Sequence, residues 1–465
     1  MIYFFNSITI GEKKMKTILM PAKVNSIKIV ALLIGMLIIC LINATYAVPS
    51  FSRQTNLSCS SCHYVFPELT PFGRSFKLNG YTMTGITTIK STYEKSTNLD
   101  LLSVPPISVM VQGSYNIIAK TVPGTANDVA DFPQQLSLFI AGAITPKIGS
   151  FIQVTYTDQS GAFGLDNTDI RFADHTTLFS NDLLYGVTLN NNPTVQDVWN
   201  TTPAFGFPYV SSAVAPTPGA SPIIANLENF VTGLGAYTLY NNLIYGEFSL
   251  YRVTKQGGPI PETTSDSSMT LAGYMPYWRL ALQKQWETDH LEIGTFGIAS
   301  QFYPLGIGNT NTNKYTDIGF DAQYEKNFDS GTLIFHLSYI IEKQYLDATY
   351  AFGGSEYPEL NLNSFKFDAN YNLPFGMAFT LGYFFTNGDK DALIYTATPV
   401  NGYNTSSPNS SGLIAQITYL PWLNTQFSLQ YVAYNKFNGA TNNYDGFDRN
   451  ASDNDTIYIV GWVAF

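Results

Sequence analysis

The sequence predicts an all-β transmembrane barrel of about sixteen antiparallel strands, its lumen plugged by a small N-terminal segment that is mainly helical or irregular. Three observations lead there. Charged residues make up only 12% of the 465 positions while aromatic residues reach 15%, a composition rich in strand formers and poor in helical charge pairs. From Pro106 onward, alternating segments of about ten residues recur between turn-forming or polar stretches. The chain closes on Trp462-Val463-Ala464-Phe465, and a terminal Phe on an alternating strand resembles the sorting signal of outer-membrane barrels, with Gly461 departing from it. A large soluble β-sandwich is the alternative architecture.

The strands are read at 107–119, 134–144, 150–157, 169–174, 183–189, 230–240, 243–253 and 274–285. They continue at 290–303, 317–326, 332–343, 362–371, 377–386, 412–420, 425–434 and 456–465, an even count as single-chain bacterial barrels require. Connections such as Pro374-Phe375-Gly376 and Pro421-Trp422-Leu423 are short, whereas those near 190–229, 254–273, 344–361, 388–411 and 436–455 are long. Short periplasmic turns and long outer loops are the expected asymmetry. Arg171, Arg252, Arg279, Lys284, Glu325, Glu342 and Lys343 are charged candidates for the lumen, where they hold a plug or line water.

The first 47 residues read as a signal peptide. Lys13, Lys14, Lys16, Lys23 and Lys28 precede the apolar run Ile29–Ile42, and Thr45-Tyr46-Ala47 forms a small-residue cleavage pattern. The run is shorter than the ~20 residues of a spanning helix. Cleavage removes five Lys and Glu12, so the formal charge goes from −10 to −14. Such a balance argues against a nucleic-acid partner.

Of three cysteines, Cys40 leaves with that peptide and Cys59 and Cys62 remain, in Cys59-Ser60-Ser61-Cys62-His63. C-x-x-C-H in an exported chain is the haem c attachment signature: two thiols bind the porphyrin edge and the following His ligates the iron. A disulfide or a redox-active pair is the competing reading. A zinc site lacks ligands, since His175, His290 and His336 lie far along the sequence. Residues 48–101 thus form a small monohaem c-type cytochrome segment, with the barrel over 106–465. Met83 is the candidate distal iron ligand; Met110 reads as a packing residue, and a five-coordinate or water-ligated iron is a further alternative. Phe66, Phe72 and Phe76 are rings that keep water from a porphyrin, and Arg53, Arg74 and Lys77 are propionate partners or solvated cations. A haem sensor or peroxidase needs a distal acid or base, and Glu68 and Glu94 read as solvated.

The stretch 51–81, FSRQTNLSCSSCHYVFPELTPFGRSFKLNGY, resembles the haem segment of the fused cytochrome–porin iron oxidases of the bacterial outer membrane. The likeness runs through Arg53-Gln54-Thr55, the haem motif, Phe66-Pro67, Leu69-Thr70-Pro71-Phe72-Gly73-Arg74 and Phe76-Lys77-Leu78. A second segment, YGVTLNNNPTVQDVWN at 185–200, resembles that family's barrel, and the two cover about a tenth of the chain. The resemblance implies a single covalent haem held by Cys59 and Cys62 and ligated by His63. It further implies electrons taken from extracellular Fe(II), as a ferrous oxidase does, and handed to a soluble periplasmic cytochrome or similar carrier. It identifies no iron-binding residue. The alternatives are a haem-plugged porin, or a conduit for another extracellular donor or acceptor.

Overall fold

A computed structural model describes residues 49–86, 88–89, 101–125, 127–157, 161–253, 270–304, 311–422 and 424–465. The expected signal peptide, Glu94 and most of 87–100 lie outside the described residues.

Sixteen strands form the wall. They are β1 (Ile107–Ile118), β2 (Val129–Thr145), β3 (Ile148–Thr157), β4 (Ala162–Leu178), β5 (Asn181–Asn190), β6 (Val231–Tyr240), β7 (Ile244–Val253) and β8 (Met275–Gln285). The second half comprises β9 (Asp289–Tyr303), β10 (Asn313–Phe328), β11 (Gly331–Tyr345), β12 (Glu359–Asn372), β13 (Met377–Gly388), β14 (Ser410–Trp422), β15 (Thr425–Lys436) and β16 (Thr456–Ala464). Each pairs antiparallel with the next, and β16 returns to β1 in the register Trp462↔Gln112, which closes the sheet and removes its edges. Every expected strand is present, but many are longer: the segment read as 169–174 extends over the whole of β4.

The alternation is inverted relative to a soluble sheet. On β8 the residues turned inward are Tyr277, Arg279, Ala281 and Gln283, while Leu280 and Leu282 on the outside are 56% and 57% exposed. Leu234, Ile293 and Leu381 on other strands repeat this. A wall that is apolar outside and polar inside is stable only with lipid as its outer solvent. Exposed Phe179, Trp286, Phe328 and Phe375 ring the short-turn end, and Phe132, Phe163, Phe230 and Tyr274 ring the other, as interfacial girdles do. The fold is therefore that of a bacterial outer-membrane barrel. Its short turns are tight: between β6 and β7, Asn241 and Asn242 both take φ 51°, the type I′ combination.

Arg171, Arg279, Glu325 and Glu342 do face the lumen and are buried. Arg252, Lys284 and Lys343 do not. They lie on the exposed face, Arg252 over Tyr274 and Lys284 over Trp286. Period two forbids neighbours such as Glu342 and Lys343 from sharing a face.

The interior holds two further pieces. The N-terminal plug consists of α1 (Pro49–Thr55), α2 (Cys59–Cys62) and α3 (Pro71–Leu78). The other is the connection 191–230. Expected as an outer loop, it folds inward instead: Val195, Val198, Trp199 and Leu227 are almost fully buried. Trp199 packs with Leu78 of the plug and with Leu184, Tyr237 and Tyr245 of the wall. Apolar side chains in a polar lumen have only this shared core in which to leave water.

Candidate haem-attachment site

The motif occupies one turn of helix, which places Cys59 and Cys62 on the same side three residues apart. Both carry thiols rather than a disulfide. Burial, and then the neighbouring Cys59, push the Cys62 thiol up to about 11. A thiol held that far up is little ionised near neutral pH, unlike the activated cysteine of an exchange pair.

Helix α3 braces the motif. Thr70 caps α3 by accepting from Gly73 N at 3.1 Å, and its hydroxyl donates to the Ser61 carbonyl at 2.6 Å. Pro71 sits in the first turn of α3, where its missing N–H costs nothing. A Cβ on Gly73 would fall 2.2 Å from the Cys62 carbonyl oxygen, so only glycine lets the two helices approach.

His63 carries the decisive geometry. Its Nδ1–H donates to the Pro67 carbonyl at 3.2 Å; a carbonyl only accepts, so Nε2 is left with its lone pair. Burial lowers the pKa to about 4 and keeps the ring neutral, the ligating form. Phe66 packs tilted against the imidazole, with ring centroids 4.6 Å apart and planes at 35°, and meets Trp462 of β16 edge-on at 5.0 Å. Two thiols at helical spacing, a neutral imidazole with Nε2 available and an aromatic wall fit a covalently held haem.

The plug is tied into the short-turn mouth on several sides. Gln54 pairs with β2, its amide donating to the Ala141 carbonyl at 3.0 Å and accepting from Ala143 N at 3.1 Å. Phe66 N donates to Gln426, and Tyr81 donates to Asp169 at 2.7 Å. A Cβ on Gly149 would fall 2.2 Å from the Gly80 carbonyl, so wall and plug touch backbone to backbone.

The cations expected beside propionates are otherwise engaged. Arg74 forms a buried two-point pair with Glu325, and Lys77 donates to the carbonyls of Val195 and Asp197 at 2.7 and 2.9 Å. Arg53 is exposed and donates to the Ile107 carbonyl. Phe76 is buried against Phe51, whereas Phe72 is exposed.

Glu68 corrects another expectation. It is fully buried, accepts from Asn370 and faces His336, whose Nε2 lies 3.6 Å from Glu68 Oε1 and whose Nδ1 bonds Asp368 at 2.9 Å. Burial pushes its carboxyl up to about 7, against the opposing pull of His336. Sequence reading missed this group because its partners lie some 300 residues away.

The two methionines part company. Met83 follows Tyr81, which packs on Phe151 of β3 and bonds Asp169 of β4. Met110 lies on the inward face of β1 between Ser108 and Gln112 and pairs with Ala464, two residues from Trp462. The His63 side of the plug therefore faces the wall that carries Met110. A cavity of about 280 Å³ adjoins Glu68's partners, lined by His336, Lys366, Asp368, Phe384 and Thr201. A second, of about 380 Å³, is lined by Tyr315, Gln344, Leu346 and Tyr395.

Among solved structures, the chain is similar to the anion-selective porin from Comamonas acidovorans (11% identity, 77% of this chain and 98% of that one, TM-score 0.46). It is also similar to Salmonella typhi OmpF in complex with daunomycin (12%, 77% and 97%, 0.44) and to the outer-membrane channel DcaP of Acinetobacter baumannii (12%, 77% and 96%, 0.42). No protein-family profile and no curated protein matches the chain.

Proposed function

We propose that this outer-membrane barrel is a c-type cytochrome that accepts electrons from extracellular Fe(II) and delivers them to a soluble periplasmic carrier. The observation that carries the reading is His63, beside two unbridged cysteines, with Nδ1 committed to Pro67 and Nε2 available. Bound haem supplies a reversible one-electron couple, matched to a one-electron donor.

The remaining work belongs to the chain. Cys59 and Cys62 hold the group and His63 ligates it. Phe66 and Trp462 exclude water on one side, and Arg74–Glu325 fixes the helix that braces the motif. The plug lies at the short-turn mouth, the end expected to face the periplasm, which supports a periplasmic carrier as the acceptor. Residues 191–230 fill the lumen above it, which suits electron passage better than bulk solute flow. The donor follows from the likeness of residues 51–81 to the fused iron oxidases.

The test mixes ferrous iron with purified, air-oxidised protein in detergent and follows the haem bands by stopped flow. Stoichiometric appearance of the reduced bands supports the proposal. A haem reduced by dithionite but not by iron transfers the role to another donor, and solute permeability in liposomes that ignores redox state returns it to a haem-plugged porin.

A further inference from the structure

Arg74, Lys77, Arg171 and Arg279 are buried in the lumen with partners: Glu325, two backbone carbonyls, Asp169, and Asp321 with Glu292. Lys366, midway along β12, differs. Its side chain is exposed into the cavity of about 280 Å³, and among the described residues it makes no hydrogen bond and no ion pair. Asp368, two residues along the same face, is committed to His336 Nδ1 at 2.9 Å, and His336 in turn faces Glu68 of the plug at 3.6 Å. An ammonium that opens on a walled cleft without a carboxylate of its own attracts an anion.

Two hydroxyls converge on it. Ser338 on β11 is the register partner of Lys366, which sets their Cβ atoms about 5 Å apart, and Ser364 is the next inward residue of β12 on the side away from Asp368. Both line the cavity, and neither hydroxyl bonds to another group among the described residues. One ammonium and two hydroxyls with donors to spare make a cradle for an oxyanion. The surface next to this cradle is apolar. Phe384 of β13 is the register partner of Lys366 on its other side and Ile340 is that of Ser364, while Phe207 of the inward segment lies on Gly382, where a Cβ would fall 2.8 Å from its ring.

The inward segment supplies the opposite wall. Pro203, Pro208, Pro216, Pro218 and Pro222 line it, and prolines offer no N–H, so an anionic head is directed to β11 and β12 instead. Anchors to the barrel hold this wall in place: Gln430 donates to the Val210 carbonyl at 3.0 Å, Tyr434 to that of Pro216 at 3.4 Å, and Gly219 N to Asn438 at 3.2 Å. The cleft is therefore preformed.

We propose that Lys366, Ser338 and Ser364 form a binding site for a small organic carboxylate, its head on the ammonium and hydroxyls and its apolar body between Phe384, Ile340 and Phe207. Ligand pockets of about 300–1,000 Å³ are usually built this way, from an apolar lining with a few placed polar groups, and this cavity lies at their small end. Head and body act together. An inorganic anion leaves the rings unused, and a neutral ring leaves the ammonium unmatched. None of these residues belongs to the haem motif, so the site exists whether or not the barrel oxidises iron.

The experiment follows 4-fluorobenzoate by fluorine NMR in the presence of the purified full chain in non-ionic detergent. Wild type is expected to broaden the resonance saturably, with benzoate displacing the probe and acetate or benzyl alcohol, each carrying half of the molecule, displacing it far less well. K366M is expected to bind at least ~10-fold more weakly, the loss of one charge-assisted hydrogen bond, and K366R to keep most of the affinity. Both variants are expected to melt like wild type. Equal binding by K366M and wild type, no saturable binding by wild type, or displacement by acetate or benzyl alcohol as strong as by benzoate overturns the site. Should K366M fail to fold, the double variant Ser338→Ala with Ser364→Ala decides: weakened binding supports the site and unchanged binding overturns it.

Discussion

At the scale of single residues, the motif was legible because its chemistry is local: two thiols and an imidazole within five positions. What lies behind it was not. Glu68 read as solvated, yet Asn370 and His336 enclose it. Nothing in the sequence sets Gly73 apart, yet its missing Cβ is what admits the Cys62 carbonyl. Gly73→Ala is expected to cost about 1–3 kcal/mol by overpacking and to lower covalent haem content, read by haem staining and thermal melts. Replacing Cys62 with Ser should leave at most a single-point attachment. Met83 is the candidate distal ligand, so Met83→Leu is expected to change the spectrum and potential of the haem, and equal spectra for Met83→Leu and wild type would exclude that thioether from the iron. Met110, turned inward between Ser108 and Gln112, reads as packing, and Met110→Leu is expected to leave both as they were.

At the scale of elements, strand positions were readable from period two, but strand ends were not, since hydrogen bonding carries the ladder past the apolar band on both sides. The inward path of residues 191–230 had no periodic signal at all. Its cue was Val195, Val198 and Trp199 in a segment too irregular for a strand, which makes sense only when a lumen supplies the missing core. Trp199 meets Tyr245 edge-on and donates to Gln283 at 3.1 Å. Trp199→Ala is expected to cost about 3–5 kcal/mol and to free the segment, detectable as faster proteolysis within it. At the far end of this element, burial, then a hydrogen bond shared with Asp166, push the Glu228 carboxyl up to about 8 from 4.5. A raised carboxyl stabilises the folded form fully below the unfolded value and loses that contribution as pH rises through the folded one. Hydrogen exchange around residues 226–230 should therefore quicken between about pH 4.5 and 8, while Glu228→Gln flattens the profile.

For the whole molecule, the inverted alternation decides the environment, and it was visible in the sequence as apolar and polar residues trading places every step. The sequence could not say which face was which for every charge: Arg252, Lys284 and Lys343 face outward, near girdle or rim positions where a cation reaches headgroups. An arginine mid-wall has no such outlet. Leu280→Arg, near the centre of β8, is expected to destabilise the barrel by about 2–4 kcal/mol, measured as a lowered midpoint of denaturant unfolding in lipid. The buried Arg74–Glu325 pair joins plug to wall. Arg74→Met leaves Glu325 uncompensated and is expected to cost about 3–5 kcal/mol, with much of the loss recovered on adding Glu325→Gln.

The seam between β16 and β1 fixes an order of events in biogenesis. Phe66 of the plug rests on Trp462, and Phe465 exchanges both backbone hydrogen bonds with Val109 only when the last strand arrives. On the reading proposed above, an enzyme that joins haem to Cys59 and Cys62 reaches those thiols before the plug is packed against the closed seam, so attachment of the cofactor is expected to precede closure of the barrel.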